Sequence, residues 1–170
     1  MTLVDIAVED KTLRPYQLES KLEIYRAWEH SPSIMFQMPT GTGKTILFVS
    51  IARDLFDWGA AHKKSVKILF LAHRIELIDQ ISEKLGVMYH LAHGLIASQN
   101  REQKYYGLQV GSVQTLVRRL DRWEDKEFDF VITEGILINQ YGHDHLQADI
   151  VRFLDGLLPR TVNGDEDLAG

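Results

Sequence analysis

The feature that limits the possible folds most is a short apolar run, Ile34-Met35-Phe36-Gln37, that leads directly into Met38-Pro39-Thr40-Gly41-Thr42-Gly43-Lys44-Thr45. Ser31-Pro32-Ser33 break the chain before the run, so it reads as a buried strand. Residues Thr45 to Trp58 follow with helical periodicity, and Gly59 is the expected stop. Strand, glycine-rich loop and helix in this order surround a phosphate group. Glycines let the backbone curl so that its amides face inward. The helix aims its positive end at the same point. In that setting Lys44 supplies a point charge to the β and γ phosphates, and Thr45 offers its hydroxyl to Mg²⁺. The candidate nucleotide-binding residues are therefore Pro39, Thr40, Gly41, Thr42, Gly43, Lys44 and Thr45, with ATP and Mg²⁺ as cofactors. The strict signature GxxxxGK[ST] would put its first glycine at Met38, but Gly41-x-Gly43-Lys44-Thr45 remains specific in this context.

The alternation continues along the chain. Arg14-Pro15-Tyr16 opens a helix, with Leu18, Leu22, Tyr25 and Trp28 at helical spacing. Val66 to Ala72 reads as a strand, and Ile75, Ile78, Ile81 and Leu85 mark a helix ending at Gly86. Further strands are expected around Gly94-Leu95-Ile96, over Leu108 to Ser112 and over Phe128 to Thr133, with a helix over Val113 to Trp123. Strands alternating with helices predict an α/β domain with a mostly parallel sheet and helices on both faces. Residues 1–12 show no period and read as a loosely held N-terminal arm. The core lobe is expected over 13–134. Segment 135–170 departs from the pattern, with one amphipathic helix (Leu146, Ile150, Phe153, Leu154, Leu157) and an acidic tail.

Composition removes several function classes. There is no cysteine, so disulfides, thiolate metal sites and cysteine nucleophiles are excluded. The formal charge of −5 is not that of a protein coated in basic residues for nucleic acid. Asp5, Glu9 and Asp10 interrupt any secretory apolar core, and no apolar run reaches membrane-spanning length. A cytoplasmic protein without a membrane partner is the expectation.

The residues around the loop resemble a known family. Met38 to Thr45 is similar to motif I of superfamily two helicases and translocases, in which proline and a small or apolar residue replace the first glycine. Leu13-Arg14-Pro15-Tyr16-Gln17 resembles the upstream adenine-sensing segment. The resemblance implies that Arg14 and Gln17 bind nucleotide, with the Gln17 amide both donating to and accepting from the base edge. Leu71 to Gln80 resembles motif Ia and Val110 to Leu116 motif Ib, which in the family touch the nucleic-acid backbone. His73, Arg74, Gln114 and Thr115 are the implied contacts, chemically suited to phosphate and sugar rather than base edges. The resemblance covers Leu13 to Glu134 and is nearest to the restriction-motor and repair-helicase branch. It implies a RecA-like P-loop lobe, ATP hydrolysis, DNA as partner, and a second RecA-like lobe or a partner subunit.

The chain departs from that pattern after Ile132. The family places an Asp-Glu-Ala-His box there, whose Asp holds Mg²⁺ through water and whose Glu orients the attacking water. Here the residues are Thr133-Glu134-Gly135. Either Glu134 replaces the Asp and the base position is empty, or Glu134 is the base and Thr133 replaces the Asp. Lys44 and Glu134 are the candidate catalytic residues, with half of the carboxylate pair missing. Losing a general base typically costs about 10²–10⁴ in rate. Asp129 lies four or five strand residues earlier, roughly 13–17 Å away, and reads instead as a residue at the start of the strand. No motif III follows Glu134. The change at Gly135 reads as a truncated or frameshifted product or a natural remnant. Two alternatives stand beside a helicase lobe with impaired hydrolysis. One is a nonhydrolysing nucleotide-dependent binding module, and the other a small P-loop kinase.

Overall fold

In the computed structural model, the structure describes residues 2–31, 33–36, 43–97, 103, 106–119, 128–133 and, for the backbone alone, 136–139. The apolar runs form six strands: β1 (Ser33–Met35), β2 (Ile68–Ala72), β3 (Gly94–Ile96), β4 (Leu108–Ser112), β5 (Phe130–Ile132) and β6 (Ile136–Asn139). The helices are α1 (Leu3–Ala7), α2 (Pro15–Trp28), α3 (Lys44–Ala61), α4 (Ile75–Tyr89) and α5 (Val113–Arg118). The strands make one sheet in the order β1-β6-β5-β2-β4-β3. β5, β2, β4 and β3 pair in parallel. β6 is antiparallel to both neighbours, so β1 runs in the same direction as the parallel set.

β2 sits inside the sheet and is buried at every position, as a strand covered on both faces must be. Its alternate side chains feed two cores. Ile68, Phe70 and Ala72 join Val110, Phe130 and Ile132 beneath α2, α3 and α4. Leu69 and Leu71 join Val131, Ile96 and the α5 residues Val113 and Leu116 on the other face. The expected α/β architecture with helices on both faces is therefore present.

Several boundaries differ from the sequence reading. The segment expected as a loose arm forms α1, capped by reciprocal bonds: the Asp5 N–H donates to Thr2 Oγ1 and the Thr2 N–H to Asp5 Oδ2. Ile6 and Ala7 are buried, and α1 packs on α2 and α3. The helix is too short to show a period. Gly59 does not end α3, which continues to Ala61; a Cβ there would meet Val66 Cγ2 at 2.6 Å and the Lys64 carbonyl at 2.9 Å. It is a close-packing glycine. Gly86 does not end α4 either. That helix reaches Tyr89 and stops at His90 in the left-handed region (φ 52°), with the Leu91 N–H donating to the Leu85 carbonyl. Residues 136–139, which fit no expected element, are the antiparallel strand β6. The expected helix at 146–157 and the acidic tail lie outside the described residues.

Candidate functional site

Parallel α/β sheets bind ligands at the carboxyl ends of their strands, where loops leave for the helices. Ala72 at the end of β2 pairs with Ser112 at the end of β4, and Ile132 of β5 pairs with Phe70. His73-Arg74, Val113 and Thr133 therefore leave the sheet at one edge. β1 ends at the same edge, since Met35 is opposite Ile136, the first residue of β6.

Gly43 is the N-cap of α3 in a left-handed conformation (φ 80°), with no side chain capping the helix. A side chain there would be strained, and its Cβ would run into the Gln17 amide. Gly43 thus presents bare backbone at the positive end of a long helix, which fits an anionic group. Lys44 and Thr45 follow, and both line a cavity of about 150 Å³ together with Thr133, Phe48, Phe70, Leu71, Leu77 and Ile81. The cationic and hydroxyl groups at the start of α3 therefore share one cavity with the end of β5. These donors suit a phosphate and its metal. Pro39, Thr40, Gly41 and Thr42 lie outside the described residues, as does Glu134.

Arg14 and Gln17 open α2. The Arg14 N–H donates to Gln17 Oε1 at 2.9 Å, and Gln17 Nε2 donates to the Gly43 carbonyl at 3.2 Å. Gln17 is 4% exposed. The structure thus brings the upstream segment onto the N-cap of α3. In this structure, however, the amide grips the loop backbone.

The implied nucleic-acid contacts divide. Arg74 is exposed at the N-cap of α4, and His73 beside it is half-buried. Gln114 is held by the Ser112 hydroxyl, which donates to its Oε1 at 2.9 Å. Thr115 is 3% exposed and its N–H donates to Ser112 Oγ, so it serves the start of α5 rather than an outer surface. Asp129 sits at the opposite edge from Thr133, accepting from the Lys67 N–H at 2.9 Å, which matches its reading as a strand-start residue. Burial raises its carboxyl pKa, and the Lys67 N–H and charge oppose the shift. No group of acidic or histidine side chains that could hold a metal occurs among the described residues. None of the described helices is long and apolar enough to cross a membrane.

The sequence reading missed a buried polar node behind this site. Lys21 is fully buried in α2. Its Nζ lies 2.8 Å from Asp54 Oδ2 and donates to Ser50 Oγ at 2.7 Å; both partners are on α3. Ser50 Oγ and the Tyr89 hydroxyl donate to Asp10 Oδ2 at 2.5 and 2.6 Å. The Tyr25 hydroxyl donates to Asp54 Oδ2 at 2.7 Å. One signal was available. Gln17, Lys21, Ile24, Tyr25 and Trp28 share a helical face, and that is the buried face, displaced from Leu18 and Leu22.

Comparison with known proteins agrees with this geometry. The family described as "Type III restriction enzyme, res subunit" matches residues 10–135. Among solved structures, a nuclease-deletion mutant of the Type ISP restriction-modification enzyme LlaGI, in complex with a DNA substrate mimic, superposes with a TM-score of 0.56 at 19% identity. The match covers 71% of this chain and 15% of that one, so the chain spans a small part of that structure's length. No curated protein sequence matches. The chain belongs to the type III restriction enzyme res-subunit family, and its fold is that of the N-terminal, ATP-binding, RecA-like lobe of a superfamily two helicase.

Proposed function

We propose that the chain binds ATP with Mg²⁺ through Pro39 to Thr45, presents the outer strand ends to DNA, and hydrolyses ATP weakly or not at all by itself. The observation that carries the reading is the convergence of Lys44 and Thr45 with Thr133 around one cavity at the head of α3, whose N-cap Gly43 is tied to α2 through Gln17. Lys44 would neutralise phosphate charge, and Thr45 would hold the metal through its hydroxyl. Bound Mg²⁺ supplies charge neutralisation at the transferring phosphate. Arg14 and Gln17 would face the base, while His73 and Arg74 would touch the DNA backbone. Gln114 belongs to that surface by its position, whereas the burial of Thr115 makes it a support.

Impaired turnover follows from the chemistry after β5. Thr133, at the cavity, cannot act as a carboxylate, and Glu134 is the one acid next to it. A second lobe would supply the opposing charges, whose arginine finger is worth about 10³–10⁵ in turnover. The nonhydrolysing binding-module reading draws on the same threonine.

Calorimetric titration of the full chain with ATP and Mg²⁺, together with phosphate release with and without single-stranded and duplex DNA, tests this. Binding that is lost in Lys44→Ala, with turnover near background, is the expected result. Absence of ATP binding would overturn the reading. DNA-stimulated turnover abolished by Lys44→Ala would overturn the claim of impaired hydrolysis.

A further inference from the structure

We propose that Lys21 is a positioning residue for the nucleotide site. Anchored in the buried node on α3, it sets α2 so that Gln17 holds Gly43 at the head of the phosphate-loop helix. The inference rests on the reading that this loop binds ATP.

Gln17, Lys21 and Tyr25 of α2 make polar contacts with α3 or its N-cap, the Tyr25 hydroxyl donating to the same Asp54 oxygen that pairs with Lys21. Near the start of α2, Gln17 Nε2 donates to the Gly43 carbonyl. One turn further along the same face, Lys21 reaches Ser50 and Asp54, themselves one turn apart on α3. Ile24 of α2 and Leu47, Ile51 and Leu55 of α3 share one apolar core, whose attraction is non-directional. An ammonium group accepts no such freedom. Its donors are directed at Ser50 and Asp54, and sliding α2 by a turn would leave the charge buried without partners. Lys21 therefore defines where Gln17 lies along α3.

The node is closed from two other directions. Asp10, just before α2, lies 3.8 Å from Lys21 Nζ and accepts from Ser50. Tyr89, in the last turn of α4, donates to the same Asp10 oxygen. The placement of α2 is thus tied to the N-terminal segment and to α4, whose first turn follows Arg74. Gly43 is the last residue before α3; its carbonyl accepts from the Leu47 N–H within the helix at 3.1 Å and from Gln17 Nε2 at 3.2 Å, so the Gln17 amide is what links it to α2.

The test is a double-mutant cycle on ATP–Mg²⁺ affinity in the full chain, using wild type, Lys21→Met, Gln17→Ala and the pair, with urea midpoints measured in parallel. Each single substitution is expected to weaken ATP about tenfold, and the pair no further than the weaker single, because Lys21 acts through Gln17. Should Lys21→Met fail to fold, Ser50→Ala takes its place in the same cycle, since it removes only the bridging hydroxyl. A purely structural role would lower the urea midpoint and leave the affinity of folded protein unchanged, which overturns the proposal. Multiplicative effects, about a hundredfold in the pair, also overturn it. Failure of wild type to bind ATP sinks the parent reading and this inference with it, whereas normal binding that is insensitive to Lys21 sinks this inference alone.

Discussion

At the scale of single residues, Asp10 and Asp54 show how one node can drive two carboxyls in opposite directions. Burial raises the pKa of both. At Asp10 the hydrogen bonds from the Ser50, Thr12 and Tyr89 side chains and from the Thr12 N–H outweigh burial and hold it down to about 2. At Asp54 burial prevails over Lys21 and Tyr25, and the pKa is raised. The Tyr89 hydroxyl is pushed up to about 12, mainly by burial and by its bond to Asp10. A depressed carboxyl contributes stability above its unfolded pKa and loses it as pH falls through its folded pKa. For Asp10 that window runs from 3.8 down to about 2, and the linkage amounts to roughly 2 kcal/mol. The raised Asp54 acts in the opposite sense, gaining stability as it protonates above pH 3.8. Asp10→Asn should therefore flatten the acid limb of urea stability between pH 4 and pH 2 relative to wild type. Parallel limbs for the two proteins would refute the assignment. That Lys44 and Thr45 open a helix was legible in sequence, because a glycine followed by a helical period is a local signal. Lys21 was not, because a lysine among leucines ordinarily marks a solvated face.

At the scale of elements, Gly59 separates propensity from packing. An alanine inside a helix is favoured over glycine by about 1 kcal/mol. Here the added Cβ would collide with Val66 Cγ2 and the Lys64 backbone, and overpacking typically costs about 1–3 kcal/mol. Gly59→Ala should accordingly lower the thermal midpoint, and a raised midpoint would show that the turn after α3 yields. Gly86 presents the converse case. Nothing crowds it, and α4 runs past it because Tyr89 finds Asp10 across the fold. Glycine is a sound stop signal when local conformation decides the end of a helix. It failed twice here because tertiary contacts decided.

At the scale of the whole molecule, the N-terminal segment belongs to the core. Removing residues 1–9 would expose the surfaces that cover Ile6 and Ala7 and leave Asp10 at a new chain end. A loss of about 2 kcal/mol in urea is expected, near the value for burying one large aliphatic side chain. An unchanged midpoint would restore the loose-arm reading. β6 is the other global feature. It lies between β5 and β1 and is the one strand among those described that pairs with β1, so the strand leading into the phosphate loop reaches the sheet through it. The sequence alone determined the strand and helix alternation, the glycine-rich loop and its lysine and threonine, and the departure after Ile132. Each is written in a window of neighbouring residues, as a period or a local chemistry. Only the tertiary structure decided that Gln17 grips Gly43, that Lys21, Asp10 and Asp54 are buried together, and that an antiparallel strand sits beside β1. These contacts join residues 26, 29, 40 and 79 positions apart. A polar side chain carries no local mark of the distant partner that makes its burial tolerable.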